Sequence, residues 1–153
     1  MKGNAYFEDL DRIAREYEQR HQAHKALKEQ IIREKGWDSD ELNQWYAEEE
    51  RDFKYPISAG ACKAFRAWRE SQGDEVIMGE FTWDRERHDF IETLRKAGQE
   101  SFVVVNQSTG LMEDIHGYAA EGCTMEGLCT VRVKKHRWGE DEEETILGIR
   151  FRL

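Results

Sequence analysis

Apolar residues recur near the start of the chain at alternating spacings of four and three: Tyr6, Leu10, Ile13, Tyr17, His24, Leu27 and Ile31, with Arg20 in the remaining slot. That period predicts a long amphipathic helix over residues 5–35, stopped at Lys35-Gly36. The same repeat suits a coiled-coil seam, but Arg20 and His24 interrupt it, so the expectation is a helix packed within its own domain rather than between chains. Asp38 followed by Glu41 reads as a capping box, with Trp37 and Leu42 as its hydrophobic staple. A second helix therefore starts there and ends before Tyr55-Pro56. Its apolar side is Leu42, Trp45, Tyr46 and Phe53, and Glu48, Glu49, Glu50 and Asp52 make the other side acidic. Ser58 caps a third helix, which buries Ala61, Cys62, Phe65 and Trp68 and stops at Gly73.

Beyond Gly73 the period changes. Val76 to Phe81 reads as a strand, and Thr82 caps a helix with Trp83, Phe90, Ile91 and Leu94 on one side, closed by Gly98. Phe102-Val103-Val104-Val105 is a continuous run suited to a central strand buried on both faces. Asn106 to Thr109 leads into a helix with Leu111, Met112, Ile115 and Tyr118, stopped at Gly122. Two strands follow, Leu128 to His136 and Thr145 to Leu153, with Gly139 and the acidic run Glu140 to Glu144 as the loop of a hairpin.

The predicted fold class is α+β: three N-terminal helices, then a β-α-β-α-β-β unit with a mixed four-stranded sheet. Residues 1–73 form a helical region and 74–153 an α/β region, packed together as one domain. Right-handed crossovers make the first three strands parallel and leave the last antiparallel at an edge, with the front helices available to cover one face.

Composition narrows this picture. At 153 residues there is room for one main core, and five Trp with seven Phe exclude a disordered chain. One proline and the helical spacing argue against an all-β fold. No apolar run reaches the length of a membrane span and Met1-Lys2-Gly3-Asn4 does not open a signal peptide, so the expected location is the cytoplasm, with no membrane partner. Cys62, Cys123 and Cys129 are an odd set without a CxxC pair, which favours neither a disulfide framework nor a zinc site.

The net charge of −9 disfavours a general polyanion binder, so nucleic acid is not the expected partner. One basic candidate survives: Arg132, Lys134 and His136 alternate on one predicted strand, and Arg150 and Arg152 on the other. Sharing a face, they would offer a positive surface, with Val131, Val133, Leu147, Ile149, Phe151 and Leu153 on the buried side. The plainer reading is a solvated face neutralised by nearby glutamates.

The second candidate lies beyond the carboxyl end of the central strand, where an open α/β sheet tends to bind ligands. Asn106, Ser108 and Thr109 suit a phosphate or carboxylate there, although the same residues serve as ordinary helix starts and no GxGxxG or P-loop is present. Glu113 and His116 have a spacing that some metal sites use, but no third ligand joins them, so no metal and no cofactor is expected. Cys123 or Cys129 with His116 would sketch a nucleophile and base, yet nothing in the sequence places them together.

The stretch from Trp83 onward, above all Phe102-Val-Val-Val-Asn-Gln-Ser-Thr-Gly-Leu-Met-Glu113 and Glu121-Gly-Cys-Thr-Met-Glu-Gly-Leu-Cys129, resembles a group of small uncharacterised proteins that recur on mobile elements of gut bacteria. The resemblance covers about half the chain. It implies an accessory role on a plasmid, phage or conjugative element, and it supplies no activity and no catalytic residues. With no assembled catalytic motif, the leading expectation is a non-enzymatic binding or regulatory protein whose partner is another protein. The alternatives are a small enzyme using the Ser108 and His116 region, a nucleic-acid binder using the basic hairpin, and an acidic mimic of nucleic acid built from helix two and the 140–144 loop.

Overall fold

A computed structural model describes residues 3–71 and 75–153. Five helices and a four-stranded mixed sheet follow one another as α1 Ala5–Lys35, α2 Asp40–Asp52, α3 Ala59–Glu70, β1 Val76–Met78, α4 Asp84–Lys96, β2 Ser101–Val104, α5 Leu111–Ala120, β3 Thr124–Arg137 and β4 Glu140–Arg152. The expected α+β class and order of elements are observed. The Gly73 stop lies outside the described residues. The chain divides into two compact units, Asp9–Ile57 on one hand and Met1–Glu8 with Ser58–Leu153 on the other.

The unit Asp9–Ile57 is a helical hairpin. α1 ends at Gly36, whose φ of 80° is the left-handed conformation that stops a helix. The cap of α2 is Ser39, which accepts the Leu42 N–H at 3.1 Å. Asp38 and the Trp37 staple therefore do not take that role, and Trp37 is exposed. The polar slot in the α1 stripe is filled by stacking: the His24 ring lies between Trp45 and Phe53, at centroid distances of 4.4 and 4.1 Å. Trp45 Nε1 donates to the His24 carbonyl at 2.7 Å, so the buried indole is satisfied.

In the second unit Ser58 caps α3 as expected, accepting the Ala61 N–H. α3 meets α4 at Gly60, where an added Cβ would strike the Glu86 carbonyl and the Phe90 amide. Past its end, the Ser71 hydroxyl accepts the Ile77 N–H at 2.9 Å and blunts the outer edge of β1. Thr82 does not cap α4. The cap position is Trp83, without a side-chain bond, and Thr82 is instead fully buried, donating its hydroxyl to Asp114 at 2.6 Å.

The sheet order is β1-β2-β4-β3. β1 and β2 are parallel, and β4 is antiparallel to both β2 and β3, so the first three strands do run in one direction. The last strand is not at the edge, however: β4 sits between β2 and β3. This insertion places Phe151 against Phe102 and Tyr118, with centroids 5.5 and 5.4 Å away, and these three rings with Phe90 make the core beneath α4 and α5. On the opposite face Val103 is fully buried and packs over Gly148, where a Cβ would collide with its Cγ1 methyl.

The hairpin departs most from expectation. β3 starts at Thr124 and the acidic run Glu140–Glu144 is strand, not loop, because it pairs across with a basic run: Lys134 faces Glu143, Lys135 faces Glu142 and Arg137 faces Glu140. The turn shrinks to Trp138-Gly139, both with positive φ (54° and 81°), the backbone of a two-residue hairpin turn. A bulge between Met125 and Gly127 adds one residue to β3. Since neighbours on a strand alternate in facing, that extra residue turns every later side chain of β3 to the other face relative to β4.

Candidate binding surface

β2 pairs with β4 only at Ile149–Arg152, while β3 pairs with β4 out to Arg137 and Glu140. Residues 128–148 therefore form a two-stranded ribbon that continues past the four-stranded part of the sheet. The bulge decides what each face of it carries. Arg132, Lys134 and His136 lie opposite Thr145, Glu143 and Asp141, on the face shared with Leu128, Leu147 and Ile149. Val131 and Val133 lie opposite Ile146 and Glu144, on the face shared with Gly148, Arg150 and Val103.

On that second face the ribbon and the β1–β2 end enclose a groove of about 740 Å³. Ile77, Val105, Val131, Val133 and Ile146 form its apolar lining, all half-buried, and Glu70, Glu75 and Lys135 stand around them. Glu75 is held by Arg150, whose Nε and Nη2 donate to its two oxygens at 2.9 Å each, and by the Ser101 hydroxyl. These bonds, led by Arg150, keep the Glu75 carboxyl below the usual carboxylate range against the opposing effect of burial.

At the ribbon tip Trp138 is completely exposed, at 100%. It also adopts a left-handed backbone, φ 54°, which bulky residues rarely occupy. Leu128 and Leu147 are exposed along the same ribbon, and Met125 at the start of β3. Among the described residues no strand pairs with the outer edge of β3.

The four predicted basic residues do not converge. Arg132 and Lys134 are on one face and Arg150 and Arg152 on the other, with Arg150 committed to Glu75 and Arg152 3.9 Å from Glu126. A regular ladder continued from Thr124 and Arg152 would have put all four together, and the bulge prevents it. The sequence signal for this was Gly127, a glycine directly before the predicted strand and inside the observed one, here with φ 124°.

The second predicted group is an ordinary helix approach. Asn106 accepts the Ser108 N–H at 2.9 Å, Ser108 Oγ accepts the Gly110 N–H at 3.3 Å, and the cap of α5 is Gly110 itself. Ser108, Thr109, Glu113 and His116 are exposed, Asn106 is half-buried, and none of the five lines the groove. Ser108→Ala is expected to lower stability by less than ~1 kcal/mol in a urea titration, since it removes one exposed local bond. A larger loss would mean that Ser108 holds more than its own turn.

Cys62, Cys123 and Cys129 are not joined in disulfides. Burial pushes the Cys123 thiol upward, the opposite of the shift that activates a nucleophilic thiol. Among the described residues no group of three His, Cys, Asp or Glu side chains is placed to hold a metal ion, and no helix is long and apolar enough to cross a membrane.

What sequence reasoning missed is the ribbon and its groove, because an acidic run beside glycine resembles a loop until its basic partner strand is known. A family model described as a domain of unknown function (DUF7698) matches residues 60–153. No curated protein and no solved structure matches the chain.

Proposed function

For this chain, which belongs to the DUF7698 family of domains of unknown function, we propose a non-enzymatic protein-binding role in which the β3–β4 ribbon docks into a partner protein through Trp138. The observation that carries the reading is the state of Trp138: wholly exposed, and in a left-handed turn position that Asn would fill at lower cost. A buried tryptophan anchor is among the strongest contributors to protein interfaces, and the exposed Leu128 and Leu147 extend the apolar contact along the ribbon. A two-stranded ribbon is marginal in water alone, which also favours a partner that completes it. Cysteines not joined in disulfides accord with the cytoplasm as the place of action, and a small accessory role on a mobile element accords with a binding module.

Trp138→Asn separates folding from binding. The turn chemistry predicts an unchanged or higher melting temperature, while loss of a hot-spot aromatic predicts about thirtyfold weaker capture of the native partner. The measurement is quantitative affinity capture from the source cells with wild type and variant side by side. Equal capture by both would refute the proposal.

A further inference from the structure

β3 spans 14 residues, about 46 Å of strand, and among the described residues pairs with β4 alone. Its far half, Arg132-Val133-Lys134-Lys135-His136-Arg137, contains four fixed cations and no acid. Because side chains alternate, Arg132 and Lys134 flank the free edge on one face and Lys135 and Arg137 flank it on the other. Any strand laid against that edge is therefore bordered by positive charge above and below. The chain already shows what such a border accepts. On the inner edge β4 presents Glu140, Asp141, Glu142, Glu143 and Glu144 to this run, and Lys135 reaches Glu144 at 2.7 Å while His136 meets Asp141 at 3.0 Å. Arg132 makes no ion pair among the described residues.

From this we propose that the outer edge of β3 takes up an acidic, extended segment of another protein by strand addition, in the antiparallel sense of β4, with acidic residues opposite Lys134–Arg137 and apolar residues toward Leu128. Backbone N–H and C=O groups on the open edge supply the pairing, and the basic run selects the partner. The same charges act against a second copy of this chain pairing edge to edge, since two such runs brought together repel. A basic edge thus closes β3 to its own kind and leaves it open to an acidic strand. A nucleic-acid strand fits less well, because a sugar-phosphate backbone cannot pair with the open N–H and C=O groups of the edge as a peptide strand does.

This inference rests on the ribbon being the docking element. The probe is a fluorescein-labelled synthetic peptide with the sequence of residues 140–149, Glu-Asp-Glu-Glu-Glu-Thr-Ile-Leu-Gly-Ile, titrated onto the full chain. Saturable binding is expected, weakening as salt rises. In Arg132→Gln/Arg137→Gln it should fall about tenfold with the fold intact by circular dichroism. Amide hydrogen exchange should show that the β3 amides that exchange rapidly in the free protein become protected by the peptide. The inference is overturned by absence of binding, by equal binding of a ten-residue polyglutamate without β3 protection, or by sedimentation showing that the chain alone self-associates with β3 protected. Affinity capture with Trp138→Asn, run in parallel, keeps the two ideas apart. If capture depends on Trp138 but the peptide fails, the edge assignment falls alone, and if capture ignores Trp138, the docking role of the tip falls.

Discussion

Val104→Asp is expected to abolish folding of the unit that carries the sheet. Val104 is 2% exposed and lies in β2, paired with Met78 on one side and Ile149 on the other, so its side chain has no route to water. Its strand partners are both apolar, and burying a charge without a partner costs several kcal/mol even after it takes up a proton. Set against the roughly 5–15 kcal/mol that holds a typical domain together, that loss is decisive. The expected readout is collapse of the cooperative urea transition and loss of near-ultraviolet circular dichroism. Val104→Ala removes volume without adding charge and should keep a cooperative transition, with about 2 kcal/mol lost. A cooperative, native-like Val104→Asp would show that β2 is not central to the core.

The second large effect belongs to Arg87. Its guanidinium, on a residue 5% exposed, donates to Asp84 at 2.6 Å, to the Thr82 carbonyl at 2.7 Å and to Asp114 at 3.2 Å. Burial alone would lower its pKa, but the bonds to Asp84 and Asp114 outweigh that and raise it. Asp114 is wholly buried and depends on Arg87 as its only ion-pair partner among the described residues. Arg87→Met leaves that carboxylate uncompensated, and breaking a buried pair from one side typically costs about 3–5 kcal/mol. Arg87→Met/Asp114→Asn removes the stranded charge yet keeps an acceptor for the Thr82 N–H and hydroxyl. It should regain at least half of the loss in a double-mutant cycle. Additive effects of the two changes would mean that Arg87 and Asp114 do not act as a pair.

These cases show which parts of the molecule a sequence exposes. Ser58 and Gly36 were legible because capping is local chemistry, settled within a few residues. Thr82 was not, since the hydroxyl that suits a cap equally suits a bond to Asp114, 32 positions away, and only the fold decides between them. Phe102 to Val105 announced a buried strand by its unbroken apolar run, but strand order did not follow from it. The insertion of β4 beside β2 depends on Phe151 finding Phe102 and Tyr118, a long-range match that no periodicity records. The basic residues of the hairpin were identifiable one by one, but whether they share a face was not, for a reason of register rather than composition.

The bulge at Met125–Gly127 makes the sidedness of the ribbon a matter of parity. No substitution in β3 or β4 exchanges which face carries Val131 and Val133 and which carries Arg132 and Lys134, because substitutions preserve the count of residues. Removing Glu126 changes that count by one, and a single in-frame deletion would bring Arg132 and Lys134 round to the side of Arg150 and Arg152 while sending the two valines to the other. Two chains differing by that one residue would present partners with interchanged surfaces from nearly identical sequences, so along this ribbon length variation, more than residue variation, is the coordinate on which binding preference can change abruptly.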